Sequence, residues 1–138
     1  MTTTTARAFA AHSLKAPLAP WTLQRRAVNA DDVKIEVLYC VICHSDVHAA
    51  RNEWGGTTYP LVPGHEIVGR VVETGASVSR FRPGDLVGVG CMVDACLTCP
   101  SCRAGEEQLC DTGFTGTYGG KDKISGGVTY GGYSDHMV

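Results

Sequence analysis

Alternating apolar and polar side chains predict short strands along much of the chain. Residues 33–39 (VKIEVLY) alternate with a period near two, which is typical of a strand with one buried face. Residues 67–74 (IVGRVVET) are rich in β-branched side chains. A Pro-Gly turn at 83–84 leads into a further apolar run at 86–89 (LVGV). The pattern predicts a mostly β domain built as a small barrel.

The remaining segments predict one helix, a tail and a long loop. A short helix is expected from about Ser45 to Trp54, with Ser45 or Asp46 near its N-terminus as the cap. Residues 1–5 are expected to be a disordered tail that precedes a domain over 6–138. Eight glycines between 113 and 132 predict a loop, and residues 131–138 resemble the beginning of a strand.

Composition and charge narrow the classes of function. The chain has 138 residues, of which 43% are hydrophobic and 19% charged, enough for one domain with a core. Its formal net charge is −2 and it has no basic run, so we expect no nucleic-acid partner. No apolar stretch approaches the ~20 residues of a membrane span. The first residues lack the pattern of a secretory signal, so a cytoplasmic location is expected.

Cysteine usage points to metal binding. The chain has seven cysteines, at positions 40, 43, 91, 96, 99, 102 and 110. An odd number, with four cysteines clustered between 96 and 110, is a poor framework for disulfides. In a chain without a signal sequence, such clustering indicates a metal site or catalysis.

The clustered set Cys96-x-x-Cys99-x-x-Cys102-x7-Cys110 is the strongest motif. Tetrahedral zinc accepts four thiolates, and the two-residue spacings let tight turns direct successive sulfurs to one point. Four cysteines leave no position for water, which predicts a closed, structural site. Buried thiols, two disulfides or an iron–sulfur cluster are the alternatives, but the polar residues between the cysteines argue against simple burial.

A second set of candidate ligands lies earlier in the chain. The segment Cys43-His44-Ser45-Asp46-Val47-His48 is followed about twenty residues later by Pro63-Gly64-His65-Glu66. A catalytic zinc needs three protein ligands and one exchangeable position. Cys43 and His65 supply two, and Glu66 is a third ligand or lies just outside. Taken alone, the His-Glu pair is more typical of a surface ion pair, and Gly69 excludes the zinc-protease helix.

Ser45 and His48 suggest a path for a proton. Three residues apart on a helix, they lie on one face. An imidazole with a pKa of ~6.5 exchanges protons with solvent near neutral pH. The alternative for His48 is an ordinary surface histidine on an amphipathic helix.

The motif Gly64-His65-Glu66-x-x-Gly69-x5-Gly75-x2-Val78 resembles the zinc-binding signature of the medium-chain zinc-dependent alcohol dehydrogenases. The Cys43 segment and the four-cysteine set match that family in order and spacing. Residues 59–66 (YPLVPGHE) and 88–91 (GVGC) are similar to its cinnamyl-alcohol-dehydrogenase branch, which consists mainly of NADP-dependent aldehyde reductases. The resemblance covers residues 7–138.

The resemblance implies a GroES-like β-barrel catalytic domain with a structural-zinc lobe over residues 91–112. It implies that Cys43 and His65 bind a catalytic zinc, with Glu66 able to join them, and that Asp46 orients His65. Zinc would act as a Lewis acid during hydride transfer between a small primary alcohol or aldehyde and a nicotinamide. The remaining implied roles are a proton relay from Ser45 to His48, a substrate pocket with Trp54 and Met92, and a weaker cofactor contact by His44.

The chain also departs from the family pattern. Val41 occupies a position where the family usually has Gly, and valine would be strained there if the position needed a positive φ. We expect Val41 to shift the loop before Cys43 slightly, or to mark a site under relaxed constraint. No Gly-x-Gly-x-x-Gly opens a helix, so a Rossmann domain and its NADP or NAD site are expected to be absent from this chain, as is the family's third zinc cysteine. The family's usual homodimer is expected only for the full length.

Two function classes remain open. The first is the catalytic-domain portion of an oxidoreductase, inactive as these 138 residues alone. The second is a truncated, non-catalytic zinc-binding module. Retention of Cys43, Ser45, His48 and His65 favours the first, because a structural module needs no proton relay. A zinc-free quinone reductase is disfavoured because it would lack the four-cysteine lobe.

Overall fold

Short strands dominate the computed structural model, which describes residues 3–138. The strands are β1 (Thr4–Ala10), β2 (Ala19–Arg25), β3 (Val33–Cys40), β4 (Ile67–Thr74), β5 (Leu86–Val89), β6 (Met92–Asp94), β7 (Thr115–Gly116) and β8 (His136–Met137). The helices are α1 (His44–Ala50), α2 (Pro100–Arg103) and a 3₁₀ turn at Glu107–Leu109. The prediction of a mostly β domain is confirmed.

Three antiparallel units carry the fold. A four-stranded sheet has the order β5-β4-β3-β8, while β1 pairs with β2 and β6 with β7. The predicted strands at 67–74 and 86–89 are confirmed as β4 and β5, and the strand at 33–39 is β3 with Cys40 added. The glycine-rich segment 113–132 is mostly loop, apart from β7 and an isolated bridge between Lys121 and Val128.

The β1–β2 hairpin was not predicted. Its buried face is made by Ala6, Ala8 and Ala10 of β1, which pack with Leu23 of β2 and with Val62. Alanine has a weak strand preference, so its alternation with polar residues carries little signal. The expected tail over residues 1–5 is wrong at Thr4 and Thr5, which pair with Arg25 and Gln24. Met1 and Thr2 lie outside the described residues.

The helix differs from its prediction at both ends. It begins at His44, and its N-cap is Cys43, with extended backbone angles, rather than Ser45 or Asp46. Asp46 instead occupies the third helical position, where its carboxylate accepts a hydrogen bond of 2.9 Å from the Cys43 N–H. That bond satisfies one of the free donors at a helix N-terminus. The helix ends at Ala50, well before Trp54.

A buried arginine anchors the C-terminal segment 130–136 to the barrel. The Arg25 guanidinium donates to the backbone oxygens of Tyr130, Gly131 and His136 and to the Ser134 hydroxyl, at 2.7–3.0 Å. Its burial lowers the pKa of Arg25 to about 10, so the side chain is charged at neutral pH. One side chain therefore holds a segment more than a hundred residues away in sequence.

We expect Arg25→Met to destabilise the domain by about 2–4 kcal/mol, because it leaves several buried acceptors without donors. Arg7→Met is the control, since the Arg7 side chain is 88% exposed in its pair with Asp135. Urea unfolding measures both. Equal unfolding midpoints for the two variants would show that the buried hydrogen bonds do not stabilise segment 130–136.

Candidate metal centres

Two groups of side chains in residues 3–138 bring metal-ligating atoms together. The first joins Cys43, His65 and Glu66, and the second joins the four clustered cysteines. Within each group, one ligand atom per residue lies within 4.8 Å of the others. The first group combines a thiolate, an imidazole and a carboxylate, and the second is made of sulfur alone. Both donor sets suit zinc.

Local structure brings the first group together. Cys43 caps α1, whereas His65 and Glu66 lie immediately before β4. Gly64 precedes them with a φ of +99°, a conformation that favours glycine. A Cβ atom there would lie 2.7 Å from Cys40 Sγ, so space and backbone both require glycine. Within this group His65 is buried, Cys43 is half-buried and Glu66 is exposed.

Asp46 is the buried carboxylate that supports this group. It is 2% exposed. Its Oδ1 accepts from the Gly64 N–H at 2.9 Å and pairs with His65 Nδ1 at 3.2 Å. Its Oδ2 accepts from the Cys43 N–H at 2.9 Å and from the Tyr133 hydroxyl at 3.1 Å. With Nδ1 donating to Asp46, the imidazole keeps Nε2 available as a metal ligand.

Ser45 lies against both candidate ligands. Its hydroxyl donates to Cys43 Sγ at 3.2 Å and lies 3.4 Å from His65 Nε2. Both partners are the atoms expected to bind a metal. The hydroxyl therefore lies next to both candidate ligand atoms of this group.

The side chain of His48 has a different partner. Its Nδ1 contacts the Glu53 carboxylate, and its ring lies 5.1 Å from the Trp54 ring. The His44 ring is 6.1 Å away. Among the described residues, no hydrogen bond joins Ser45 to His48. A relay between them requires a bridging hydroxyl from water or a ligand.

A cavity of about 250 Å³ adjoins the first group. It is lined by Ser45, His65, Cys91, Gly116, Thr117 and Tyr118. The Tyr118 ring packs 5.6 Å from the His65 ring. Burial, and next the Asp46 charge, raise the pKa of Tyr118 above its usual range, so its hydroxyl stays protonated.

Trp54 and Met92 do not line this cavity. The Trp54 side chain is 67% exposed beside His48. Met92 lines a separate cavity of about 630 Å³, together with Arg26 and Asp94. Cys91 lines the smaller cavity, whereas Met92, the first residue of β6, lines the larger one, so these two neighbouring residues face different cavities. Sequence reasoning gave no role to Cys91, Glu53, Tyr118 or Tyr133.

The four-cysteine lobe is built from turns. Cys99 caps α2, which begins with Pro100, and its Sγ accepts from the Cys102 N–H at 3.5 Å. Cys96 Sγ accepts from the Cys99 N–H at 3.3 Å, and Cys110 Sγ accepts from the Cys96 N–H at 3.4 Å. Between Cys96 and Cys99, Leu97 has a φ of +57°, which is uncommon for a residue with a side chain.

Ionisation of the cysteine thiols in the lobe would be favoured by a bound cation. Donors on Thr98 and Cys99 lower the pKa of Cys96 to about 5, which makes it a thiolate at neutral pH. Burial raises the pKa of Cys102 to about 12. A bound cation would offset the cost of ionising Cys102 beside Cys96. The four sulfur atoms of the lobe therefore form a donor set that suits a metal ion.

Val41 causes no backbone strain. In the part of the chain that the structure describes, the non-glycine residues with positive φ are Lys15, Asn52 and Leu97. Val41 is not among them, and its N–H donates to the Glu66 oxygen at 2.9 Å. The condition under which valine would be strained is therefore not met, because the loop before Cys43 does not use a left-handed conformation at this position.

The fold and the two groups of candidate ligands define a class of protein. Its members are small β-barrel domains with one metal-type centre closed by four cysteines and a second centre that leaves a position for an exchangeable ligand. The sequence profile of the alcohol dehydrogenase GroES-like domain matches residues 29–138. The chain belongs to that family, in its cinnamyl-alcohol-dehydrogenase-like branch. No helix within residues 3–138 is long and apolar enough to cross a membrane.

Curated relatives are similar over almost the whole chain. The aldehyde reductase YahK of Escherichia coli is 53% identical over 132 residues, which cover 96% of this chain and 38% of that protein. A probable cinnamyl alcohol dehydrogenase of Oryza sativa is 52% identical over 138 residues, which cover 100% of this chain and 38% of that protein. The chain thus spans less than two-fifths of the length of these relatives.

Solved structures agree with the fold. A cinnamyl alcohol dehydrogenase of Sorghum bicolor superposes with a TM-score of 0.92 at 44% identity, covering 97% of this chain and 38% of that one. The cinnamyl alcohol dehydrogenase of Helicobacter pylori, solved in complex with NADP(H), superposes with a TM-score of 0.94 at 39% identity. The match covers 99% of this chain and 39% of that one. The prediction of a GroES-like barrel is confirmed.

Proposed function

We propose that this chain is the catalytic-domain portion of a zinc-dependent alcohol dehydrogenase that interconverts primary alcohols and aldehydes with NADP(H). The observation that carries the proposal is the joint placement of Cys43, His65 and Glu66, with Asp46 bonded to the imidazole. One side of this group faces a cavity and one ligand is exposed, as an exchangeable position requires. The names of the relatives support the substrate class.

In this proposal Cys43 and His65 hold the catalytic zinc, with Glu66 as the third or an occasional ligand. Zinc bound there supplies a Lewis acid that polarises an aldehyde oxygen or favours loss of an alcohol proton. The second zinc is held by Cys96, Cys99, Cys102 and Cys110, and its role is structural.

The other residues orient groups or move a proton. The Ser45 hydroxyl exchanges a proton with the substrate oxygen, since it lies beside both ligands and faces the cavity. His48 takes or returns that proton through a bridging hydroxyl, and Glu53 holds its Nδ1 so that Nε2 faces the relay. Asp46 orients His65. Trp54 and His44 lie beside His48, and the proposal keeps Trp54 as a substrate contact and His44 as a weaker cofactor contact.

The proposal assigns the nicotinamide site to residues outside these 138, since the relatives are more than twice as long. It includes a cytoplasmic location and, for a protein of the relatives' length, a homodimer. The 138 residues alone are then expected to show no turnover.

A chimera tests the proposal. Residues 1–138 replace the aligned portion of the Escherichia coli aldehyde reductase, and reduction of aromatic aldehydes is followed with NADPH and with NADH. We expect turnover in the chimera and none in the isolated chain. In the chimera, Ser45→Ala lowers kcat about 10²- to 10⁴-fold, because a positioned proton donor contributes on that order.

Ser79→Ala is the matched control, since Ser79 is exposed and away from both cysteine groups. A folded chimera that holds two zinc ions yet shows no turnover would favour the non-catalytic zinc module. Turnover that Ser45→Ala leaves unchanged would remove Ser45 from the proton path.

A further inference from the structure

Tyr133 touches the buried carboxylate behind the candidate catalytic site. Its hydroxyl donates to Asp46 Oδ2 at 3.1 Å, from a position 87 residues further along the chain. Each carboxylate oxygen of Asp46 thereby has two partners: the Gly64 N–H and His65 on Oδ1, and the Cys43 N–H and Tyr133 on Oδ2. Tyr133 is the only one of the four that belongs to neither ligand segment.

Backbone contacts determine where the Tyr133 side chain lies. Residues 131–133 run beside residues 62–64, with three N–H···O bonds of 2.8, 2.8 and 3.0 Å. Gly131 permits this approach, because a Cβ atom there would lie 2.4 Å from the Pro63 oxygen. The ring therefore packs directly under the turn that carries His65.

Arg25 holds the same segment from the other side. Its guanidinium donates to backbone oxygens on both flanks of Tyr133, those of Tyr130, Gly131 and His136. The Phe9 N–H donates to the Tyr133 oxygen itself at 2.8 Å. The backbone of Tyr133 is thus held in place by contacts that do not involve its hydroxyl.

We propose that Tyr133 is a positioning residue, whose hydroxyl holds the Asp46 carboxylate in the orientation in which it directs His65 toward zinc. The inference rests on the proposed function, since it concerns the zinc site of Cys43 and His65. Without the hydroxyl, Oδ2 keeps a single donor and the carboxylate rotates more freely about its Cβ–Cγ bond. Burial, and next the Asp46 charge, raise the pKa of Tyr133 above its usual range, so the hydroxyl remains a donor.

Zinc affinity in the 138-residue chain tests the inference without any assay of activity. Tyr133→Phe keeps the ring and removes the hydroxyl. We expect it to weaken zinc binding at the Cys43 site three- to tenfold, below the 10- to 100-fold typical of a direct partner of a ligand. Competition with a chromophoric chelator measures the affinity, and Cys43→Ser identifies the component that belongs to this site.

Tyr130→Phe is the matched control. Tyr130 lies in the same segment and packs against Trp21 at a ring distance of 5.4 Å, with no side-chain contact to Asp46. It should leave zinc affinity at the Cys43 site unchanged, and neither variant should alter affinity at the four-cysteine lobe. An equal loss in both tyrosine variants, or an equal loss at both zinc sites, would overturn the inference by indicating general loosening.

Two further measurements separate the mechanisms. In an Asp46→Asn background, Tyr133→Phe should have no additional effect on zinc affinity, because the tyrosine acts through the carboxylate. In the unmodified chain, hydroxyl-proton exchange at Tyr133, read by NMR at ring carbon Cζ, should be slower than at exposed Tyr39. Equal exchange rates would overturn the inference even if the variant failed to fold.

The outcomes distinguish this inference from the proposed function. If the unmodified chain binds zinc at the Cys43 site and Tyr133→Phe binds it equally well, only the role of Tyr133 is wrong. If the unmodified chain binds no zinc there, the proposed catalytic site and the role of Tyr133 are both overturned.

Discussion

Removing zinc with a chelator is expected to unfold residues 91–112 while the β3–β4 pair stays folded. The lobe buries few apolar side chains of its own: Ala95 packs only with cysteines, whereas Leu97 and Leu109 are 66% and 65% exposed. Its helix has four residues, too short to be stable without tertiary support. We therefore expect metal binding to supply most of the lobe's folding free energy, which is about 10–16 kcal/mol in small zinc peptides.

Hydrogen exchange read by mass spectrometry measures this expected loss. Peptides from 91–112 should lose protection after chelation, and peptides from β3 and β4 serve as the internal control. The residue pairs between β3 and β4 include no residue of the lobe. Unchanged protection in 91–112 after complete zinc removal would contradict a structural zinc.

The second large effect is expected for Asp46→Asn. The substitution keeps the size of the side chain but replaces one acceptor oxygen with an NH₂ group. Because the Cys43 N–H donates to one oxygen and the Gly64 N–H to the other, the NH₂ group meets a donor in either orientation. We expect zinc affinity at the Cys43 site to fall 10- to 100-fold, because the imidazole loses the carboxylate that orients it. We also expect a loss of about 2–4 kcal/mol in unfolding free energy, since buried donors lose their partner.

Asp31→Asn is the matched control, because Asp31 is exposed and belongs to neither group of candidate ligands. Chelator competition and urea unfolding, applied to both variants, separate the two effects. Zinc affinity at the Cys43 site that matches the unmodified chain would show that Asp46 does not orient His65. A loss of similar size at the four-cysteine lobe would indicate general unfolding.

Local sequence signals predicted the strands whose side chains are β-branched. Residues 67–74 and 86–89 match β4 and β5 because Val, Ile and Thr fit a pleated, half-buried surface. The β1–β2 hairpin was missed because Ala6, Ala8 and Ala10 bury little area. β1 is also bridged at Ala8 to Ser134, a contact with a distant segment that no local pattern indicates.

Motif spacing predicted the four-cysteine group, because tight turns fix its ligand atoms. The group of Cys43, His65 and Glu66 joins two segments about twenty residues apart, and it was predicted from the donor types and from the family resemblance. Contacts between distant segments left no such signal. Tyr133 reaches Asp46 across 87 residues, and Glu53 meets His48 beyond the end of a helix that was predicted to continue to Trp54. Met92 shows the same limit, since neighbouring strand residues face opposite sides and only the structure determines which side faces the cavity.

Zinc stoichiometry by native mass spectrometry tests the central claim most directly. The unmodified 138-residue chain should carry two zinc ions. Cys43→Ser should retain one, and hydrogen exchange should show the lobe at 91–112 still protected. Cys102→Ser should lose the other. A single zinc in the unmodified chain, retained in Cys43→Ser and lost in Cys102→Ser, would contradict a catalytic zinc site at Cys43 and His65.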